Sequence, residues 1–341
     1  MSARATGFVA IGRNEGERLK LCLRSLVRET PRVVYVDSGS TDGSVEFARS
    51  LGVEVLLLDT SQTFTMPRAR NAGWKLLVNK WPETDLVHFV DGDCELIDGW
   101  VDAAREFLDA HPEVAAVCGR RRERFPEKSV FNRLCETEWN TPVGEAKSCG
   151  GDSLMRRSAL EAVGGYNEVL IAGEEPEMCL RMRRAGWKIQ RIDRDMTRHD
   201  ANILRWVQWW MRCVRGGYGA ADVAARTAAD TAGAEVLFGS QVKSADRWFT
   251  GCAAALVAAL ALAVVGLWWL GLLLVAAVGG LLVLQAARIA RGVRRRCPNA
   301  RAAAEYGALT VLAKFPQFLG IRNYRRDRRK NRAAKLIEYK S

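Results

Sequence analysis

The sequence predicts an α/β protein with a Rossmann-like, mostly parallel sheet, followed by an α-helical membrane region. Apolar strand-like runs alternate with amphipathic helical stretches over about the first 120 residues, a pattern typical of a sheet with helices on both faces. A later run of 40 residues, 248–287, contains no charged side chain. Polar residues where several predicted strands end indicate a binding site at one edge of the sheet.

The predicted elements follow one another in a regular order. The strands are predicted at 7–11, 32–36, 53–58, 86–90 and 114–118, and the helices at 15–28, 44–51, 67–79 and 99–110. The strand segments are short and apolar, whereas the helical segments space their apolar residues at 3.6-residue intervals. Because ligands of such sheets bind outside the carboxyl ends of the strands, the residues that follow each strand are the first candidates for a site.

Two of these strand ends carry small and polar residues. Gly12, Asn14 and Glu15 follow the first strand, where the glycine frees the backbone beside polar side chains. The second strand ends in VDSGSTDGS, in which Asp37 and Ser38 precede a helix N-terminus suited to polar or anionic ligands. An Asp/Ser helix cap is the alternative reading and explains part of this motif.

Two arginines lie in the first turn of the helix that begins in MPRARNAG, residues 66–73. Cations are unfavourable at a helix N-terminus, so Arg68 and Arg70 need another reason to be there. A bound diphosphate or the acidic strand ends would supply one. A solvated helix face is the alternative.

The fourth strand runs into two aspartates in LVHFVDGDCEL, residues 86–96. The carboxylates of Asp91 and Asp93, separated by Gly92, need compensation at the mouth of a buried strand, and a divalent cation that also binds phosphates would provide it. Asp-Gly-Asp is equally good turn chemistry, so the triplet alone does not separate a metal site from a turn. Together with the other strand-end motifs and the two arginines, the triplet predicts a nucleotide-diphosphate pocket.

Taken together, these motifs resemble glycosyltransferase family 2, a family of inverting enzymes with the GT-A fold. The resemblance covers about residues 5–200 and rests on IGRNEGERLKLCLRSL, VDSGSTDGS, RARNAG, VDGDCEL, GGDSLMRRSALEAVGGYNE and GEEPEMCLRMRRAGW, in the family's order. It implies a GT-A domain over residues 1–200, a nucleotide-diphosphate sugar donor, and Mg²⁺ or Mn²⁺ as cofactor. Such a metal bridges the donor diphosphate and stabilises charge on the departing nucleotide.

The resemblance also implies roles for individual residues. Asp37 would read the nucleotide base, Arg70 would be a donor-site cation, and Asp91 would face the ribose and the metal. Asp93 would ligate the metal and His199 would add a metal or phosphate contact, although a lone histidine is more often structural. The other implied donor-side and acceptor-side residues are Gly12, Asn14, Glu15, Ser38, Arg68, Gly92, Gly150, Gly151 and Asp152, the last as a sugar-hydroxyl ligand where the family more often has an amide.

An inverting transferase also needs a base for the acceptor hydroxyl. The family places it in GEDxDLxxR, and residues 173–181 read GEEPEMCLR, which puts Glu175 at the aspartate position with one extra methylene. Glu175 is therefore the favoured base and Glu174 the fallback, while an acidic helix start explains the same residues structurally. A polyprenyl-phosphate sugar synthase, which needs no strong base, and a catalytically inactive membrane-anchored scaffold are the alternative functions.

The uncharged run 248–287 predicts a transmembrane hairpin. As one helix it would span about 60 Å, against a hydrocarbon core of about 30 Å, so a break near 266–271 is expected. Asp246 and Arg247 before it, and Arg288 and Arg291 after it, place both ends on the cytoplasmic side of a bacterial inner membrane. A buried helical hairpin in a soluble protein is the alternative.

The segments on either side of the hairpin are also predicted to meet the membrane. The connector 201–247 contains a tryptophan cluster at 206–210 with interleaved arginines, typical of an interfacial amphipathic helix or, alternatively, of a core helix. The tail 288–341 holds 16 Lys/Arg and 3 Asp/Glu, a net charge of +13, while the rest of the chain carries −1, and an interfacial helix is expected at 309–319. Anionic lipid headgroups explain this charge more simply than nucleic acid, and no nucleic-acid partner is expected.

The product and the compartment follow from further sequence features. Gln208 is followed by WWMR and does not form the QxxRW motif of processive synthases, and two short spans cannot form a conduit. We therefore expect single-sugar transfer onto a lipid-linked, polyprenyl-diphosphate glycan or another glycolipid.

Nine cysteines without a CxxC pair and the lack of a signal peptide predict a reduced cytoplasmic domain. Nothing in the sequence specifies the sugar or the oligomeric state.

Overall fold

A computed structural model describes residues 4–229, 235–332, 334–335 and 337–338. The chain divides into two compact units. The first contains the described residues up to Pro126, Glu138–Asn202 and residues 334–335, and the second contains Glu127–Thr137 and the other described residues from Ile203 onward. The α/β region and the helical region that the sequence distinguishes thus lie in different units.

The first unit is an α/β domain. Its strands are β1 (Ala5–Gly12), β2 (Val33–Asp37), β3 (Glu54–Leu57), β4 (Thr84–Asp91), β5 (Cys94–Leu96), β6 (Val114–Glu123), β7 (Gly144–Ala146), β8 (Ser153–Arg156) and β9 (Lys188–His199). Its helices are α1 (Glu17–Val27), α2 (Ser44–Ser50), α3 (Met66–Lys80), α4 (Trp100–Ala110), α6 (Arg157–Val163) and α7 (Glu174–Arg184), while α5 (Val130–Trp139) starts in the second unit and ends in the first.

The strands form one mixed sheet in the order β3-β2-β1-β4-β8-β6-β9-β5, with β7 paired to β9. The first four strands in this order are parallel, as the sequence predicts. β8 then runs antiparallel between β4 and β6, and β5 and β7 run antiparallel to β9. The α/β prediction is confirmed, while the parallel arrangement is limited to one half of the sheet and to the β6–β9 pair.

The core explains why the predicted strands form. Phe8, Val34, Leu86 and Val117 on four of these strands are fully buried, because helices cover both faces of the sheet. The parallel strands end at a common edge, where Gly12 pairs with Asp37 and the preceding residue, Ile11, pairs with Asp91. The three polar strand ends therefore share one surface.

The second unit is helical. It contains α8 (Trp206–Ala229), α9 (Gly239–Val264), α10 (Trp268–Val293), α11 (Ala300–Leu312) and α12 (Lys314–Arg329). The side-chain oxygen of Gln208 accepts hydrogen bonds from the backbone of Leu204 and Arg205 and so caps α8. Trp209 on α8 is buried and stacks on Phe131, whereas Trp206 is 59% exposed.

Two helices are long and apolar enough to cross a membrane. α9 and α10 each have 26 residues, and Gly266, at φ 82°, separates them at the break that the sequence predicts. Large apolar side chains point outward along both helices, for example Val257 at 67% and Val283 at 69% exposure. Exposed apolar surface of this extent is typical of contact with lipid or a partner protein. The interfacial helix expected at 309–319 is not one helix, because α11 ends at Leu312 and α12 begins at Lys314 with Pro316 in its first turn.

Close helix crossings hold the second unit together at glycines. A Cβ on Gly320 of α12 would lie 2.0 Å from the carbonyl oxygen of Val214 on α8. We expect Gly320→Ala to force the two helices apart and to cost about 1–3 kcal/mol of unfolding free energy, measured by thermal unfolding in detergent. Gly279→Ala on α10, where a Cβ meets open space, is the matched control and should not destabilise the protein. Equal stability of the Gly320→Ala and Gly279→Ala variants would show that the close contact between α8 and α12 does not stabilise the protein.

Candidate functional site

Arg70 is the centre of a buried ion cluster at the carboxyl end of β4. Its guanidinium donates to Asp91 Oδ1 at 2.8 Å and to Glu174 Oε1 at 2.9 Å, and Glu175 Oε1 lies 3.1 Å away. Burial opposes the charge, but the carboxylates outweigh it and raise the pKa of Arg70 well above its usual value. Arg70, the fifth residue of α3, is therefore positioned by acidic groups.

A second arginine, Arg121 on β6, joins Asp91 to Asp152. Its Nη2 lies 2.9 Å from Asp152 Oδ1 and 3.3 Å from Asp91 Oδ2. Burial raises the pKa of Asp91, but Arg70 and Arg121 outweigh this effect and lower it, so the carboxylate is ionised. Asp152 is fully buried and also accepts from the backbone N–H of Asp91 and from the Thr197 hydroxyl. Its proposed contact with a sugar hydroxyl stays a prediction.

Asp93 and His199 lie side by side next to this cluster. His199 Nε2 is 3.3 Å from Asp93 Oδ2, and its Nδ1 is 3.7 Å from Glu123 Oε2. Sheet register produces this arrangement, because His199 on β9 pairs with Glu123 on β6 and with Cys94 on β5. Trp139 packs edge-on against the imidazole with ring centroids 4.6 Å apart. Burial lowers the pKa of His199, but the two carboxylates outweigh it and raise that pKa.

The donor atoms at this edge fit a divalent cation. Among the described residues, two groups have donor atoms within 4.8 Å of one another: Asp93, Cys94 and His199, and Asp91, Cys94 and Asp152. Carboxylate oxygens suit Mg²⁺ and Mn²⁺, and imidazole nitrogen is a common ligand of transition metals. A carboxylate from Glu123 beside the second imidazole nitrogen is the arrangement that orients metal-binding histidines.

The balance of charges at the site also favours a divalent cation. Arg70 and Arg121 are the cations in contact with Asp91, Asp152, Glu174 and Glu175, and the carboxylate of Asp93 lies beside them. Two guanidinium groups do not balance five carboxylates. A divalent cation at Asp93 and His199 would reduce this excess of negative charge.

Glu175 differs from its neighbour Glu174 in environment. Both lie in the first turn of α7, but the Glu174 side chain is 1% exposed and the Glu175 side chain 15%. Burial, together with the charge of Glu174, raises the pKa of Glu175 to about 7, and Arg70 opposes the rise. A carboxyl group with this pKa can accept a proton near neutral pH.

The first two strand ends are bound together by hydrogen bonds. Asn14, at φ 54°, accepts from the backbone N–H of Thr41 at 2.7 Å, and its own N–H donates to the Ser40 hydroxyl at 2.9 Å. Asp37 is 2% exposed and accepts from the Tyr35 hydroxyl and from the backbone of Gly39 and Ser40. Asp37 thus organises the turn after β2, and its contact with a nucleotide base stays a prediction.

A cavity of about 630 Å³ opens beyond these strand ends. Ser38, Arg13 and Arg68 line it together with the loop that follows β3. The Arg68 guanidinium donates to the carbonyl of Asp59 at 2.7 Å and more weakly to those of Gln62 and Thr63, so it also shapes this loop. The two arginines near the start of α3 therefore lie in different places, Arg70 in the ion cluster and Arg68 at the cavity.

The remaining predicted residues lie along the same edge. Gly92 donates its N–H to the carbonyl of Ile11 at 2.8 Å, which joins the third strand end to the first. Glu15 pairs with Arg18 at 2.8 Å and lies beside Gly12 and Gly92. Gly151 lies over the ion cluster, where a Cβ would be 2.7 Å from Arg70 Nη2 and 2.8 Å from Asp91 Oδ2.

Three residues of the site were not predicted from the sequence. Arg121 and Glu123 belong to the charged end of β6, RRRE at 120–123, and Thr197 belongs to β9. The signal in the sequence was the change from apolar to charged residues within one strand. A strand that leaves the core in this way exposes its last residues at the sheet edge, but only the register shows what they contact.

Comparison with known proteins agrees with the fold. Residues 9–164 match the family model described as Glycosyl transferase family 2. The chain carries a glycosyltransferase family 2 domain. This finding confirms the family that the motifs indicate, and the matched range contains Asp37, Arg70, Asp91 and Asp93 of the site.

Two curated relatives agree with this family assignment. The succinoglycan biosynthesis protein ExoA of Rhizobium meliloti is 30% identical over 181 residues, which are 50% of this chain and 54% of the relative. The O-antigen chain rhamnosyltransferase RfbN of Salmonella typhimurium is 26% identical over 186 residues, 50% of this chain and 57% of the relative. The chain thus spans about half the length of the curated relatives it matches.

A solved structure with the same fold covers both units of the chain. The mannosyltransferase PcManGT from Pyrobaculum calidifontis, in complex with GDP-Man and Mn²⁺, superposes with a TM-score of 0.52 at 18% identity. The match covers 91% of this chain and 87% of that protein. At this identity the likeness shows the fold alone, and it supports the assignment of the family 2 domain to the GT-A fold.

Proposed function

We propose that the protein is a metal-dependent, inverting glycosyltransferase that moves one sugar from a nucleotide-diphosphate sugar to a lipid-linked glycan. The observation that carries this proposal is the cluster at the end of β4, where two arginines and the Asp93–His199 pair lie among an excess of carboxylates. The succinoglycan and O-antigen relatives support a glycan as the acceptor.

Asp93 and His199 are the residues that would hold Mg²⁺ or Mn²⁺, with Asp91 close to the same position. When bound, the metal supplies a positive charge to the donor diphosphate and to the leaving nucleotide. Glu123 fixes the imidazole, and Arg121 and Arg70 keep Asp91 ionised. These residues position the donor before reaction and do not need to move as charge develops.

The nucleoside part of the donor fits the cavity beyond β1, β2 and β3. Its volume of about 630 Å³ lies in the range of small-molecule sites, and it opens at the carboxyl ends of parallel strands. Ser38 and Arg68 line it, and the Asn14 and Asp37 hydrogen bonds hold its loops in place. Donor-side roles for Gly12, Glu15 and Gly92 remain part of this proposal.

Glu175 is proposed as the base that removes the proton from the acceptor hydroxyl. A pKa of about 7 leaves a substantial fraction ionised at neutral pH, and the deprotonated hydroxyl then attacks the anomeric carbon from the side opposite the nucleotide. Both glutamates contact Arg70, but the Glu174 side chain is 1% exposed against 15% for Glu175, which makes Glu174 the less accessible base.

The acceptor is proposed to be a polyprenyl-diphosphate glycan or another glycolipid at the cytoplasmic face of a bacterial inner membrane. The exposed apolar helices α9 and α10, followed by the basic residues from Arg288 onward, support a membrane anchor with both ends on the positively charged side. The basic tail would contact anionic lipids.

The donor part of the proposal is tested by titrating the purified full chain with a panel of nucleoside diphosphates and their sugars. We expect affinity to be at least about tenfold higher with Mn²⁺ or Mg²⁺ than with a chelator, since the metal neutralises the carboxylates that would repel the diphosphate. Slow donor hydrolysis should show the same dependence. A transfer assay then uses membrane lipid extract as the acceptor. Donor binding that is unaffected by metal would overturn the proposal in favour of an inactive scaffold.

The position of Gly151 gives a sharp test of the ion cluster. The Cβ of Gly151→Ala would press on Arg70 and Asp91, and a displacement of about 1 Å at such a site can cost about a hundredfold in turnover. We expect this loss in donor turnover with the fold retained by circular dichroism. Gly279→Ala on α10, whose Cβ also meets open space, should keep wild-type turnover. Equal turnover in the two variants would show that the cluster plays no part in catalysis.

A further inference from the structure

A second cavity, of about 640 Å³, opens among helices α8, α9 and α12 of the helical unit. Its apolar side contains Ala221 of α8 and Val242 of α9. Its polar side carries Lys243 of α9 and Arg328 and Arg329 of α12. An apolar cavity with a few convergent cations suits an amphiphile that carries a negative charge.

The cations of this cavity are only partly neutralised. The carboxylate of Asp246 accepts hydrogen bonds from both terminal nitrogens of Arg325, at 2.9 Å and 2.6 Å, so the charges of these two residues cancel. Among the residues that the structure describes, Lys243 and Arg329 form no ion pair, and Arg328 donates to the Tyr324 hydroxyl at 3.5 Å. The cavity therefore has three positive charges in excess.

The nearby acids do not reverse this balance. Asp222 of α8 accepts from Arg226 at 2.7 Å, one turn further along the same helix. Asp327 of α12 lies 3.6 Å from Arg326. Each acid thus has its own arginine, and neither is part of the cavity lining.

Aromatic contacts hold the walls in fixed positions. Phe249 of α9 stacks on Phe318 of α12 with ring centroids 3.8 Å apart, and Tyr218 of α8 meets Tyr324 of α12 edge-on at 5.5 Å. Ile321, between these contacts, is 1% exposed. A cavity between packed helices is present before a ligand binds, so little ordering cost opposes binding.

The position along α9 indicates what the ligand is attached to. Lys243 and Asp246 lie in the first two turns of α9, and the uncharged stretch of that helix starts at Trp248. Leu256, Val257 and Leu260 further along are 56%, 67% and 60% exposed. The cavity is therefore at the polar end of a candidate span, where the headgroups of a bilayer would lie.

We propose that this cavity binds the phosphate headgroup of a membrane lipid whose hydrocarbon chain lies along the exposed face of α9. Lys243, Arg328 and Arg329 would donate charge-assisted hydrogen bonds to the phosphate oxygens, and the Tyr324 hydroxyl would donate another. The proposal rests on the proposed function insofar as the protein works at a membrane with a lipid-linked acceptor. It assigns phosphate-lipid recognition to one cavity instead of the basic tail as a whole.

The test measures lipid retention by the full chain in neutral detergent, without donor or metal. Native mass spectrometry counts bound lipid, and a titration with a polyprenyl phosphate gives the affinity. Lys243→Gln, Arg328→Gln and Arg329→Gln are combined in one variant. The matched control combines Arg291→Gln, Arg294→Gln and Arg295→Gln, three exposed arginines of the same tail outside the cavity. Circular dichroism checks that both variants fold.

We expect one polyprenyl phosphate per wild-type chain and at least about tenfold weaker binding in the cavity variant, because it loses hydrogen bonds to a charged group. The control should stay within about twofold of wild type. Equal weakening in both variants, no stoichiometric retention, or displacement of the lipid by equimolar inorganic phosphate would each overturn the proposal. Since donor and metal are absent, a failure of the proposed sugar transfer leaves this result unaffected, and the two failures are distinguishable.

Discussion

Asp93→Asn is expected to lower sugar transfer by about a thousandfold, the size of effect seen when one preorganised electrostatic group is removed from an active site. Asn keeps the shape of the side chain but removes the negative charge that a divalent cation needs. Mn²⁺-dependent binding of the nucleoside diphosphate should weaken in parallel. Both effects are measured on the purified full chain, by initial rates and by calorimetric titration.

The control for this variant is Asp85→Asn. Asp85 is exposed and lies on β4, the strand that ends at Asp91, but close to the end of that strand opposite the site. It should keep wild-type rates and metal dependence. If Asp93→Asn also kept them, Asp93 would be a turn residue, which is the alternative that the Asp-Gly-Asp sequence leaves open.

Glu175→Gln should reduce transfer to a hydroxyl acceptor by about 10²–10⁴-fold, the usual contribution of a general base. Gln has nearly the same size and can still meet Arg70, so binding of the donor should change little. Glu161→Gln, an exposed substitution on α6, is the control, and Glu174→Gln tests the fallback base. Initial rates at saturating donor separate the loss of turnover from a loss of binding.

The pH profile gives an independent readout of the same residue. Burial raises the pKa of Glu175 to about 7, and only the ionised form can accept a proton. The kcat/KM of the wild-type enzyme should therefore fall as the pH drops below about 7 and level off above it. Glu175→Gln should lack this limb.

The outcome of the Glu175 experiment also selects between functions. If Glu175→Gln keeps full, metal-dependent transfer, the acceptor needs no deprotonation, and a phosphate acceptor explains the result. The protein would then be a polyprenyl-phosphate sugar synthase.

The first half of the fold was predictable because local chemistry specifies it. The strands β1, β2, β4 and β6 each contain a buried apolar run, and Thr65 caps α3 as its hydroxyl accepts from the Arg68 N–H. β7 has only three residues and β8 only four, too short for a period to be recognised. Their antiparallel pairing in the sheet depends on partners far away in the sequence.

Part of the candidate site was likewise predictable from local sequence, and part was not. Asp91, Asp93, Arg70 and Glu175 stand in recognisable local motifs, and the family 2 match covers the first three of them. Arg121 and Glu123 carry no such motif, because a charged strand end is common on protein surfaces. Their importance comes from distances of 2.9 Å to Asp152 and 3.7 Å to His199, which only the register of β6, β8 and β9 produces.

By itself, the sequence determined the α/β class, the family, the metal-site candidates and the two apolar helices, since each depends on residues close together in the chain. The tertiary structure decided which charges meet. It separated Arg68, which shapes the cavity loop, from Arg70, which joins the carboxylates. It also placed His199 between Asp93 and Glu123. The reason is physical: the strength of an ion pair depends on distance and burial, and sheet register sets both for residues more than 70 positions apart.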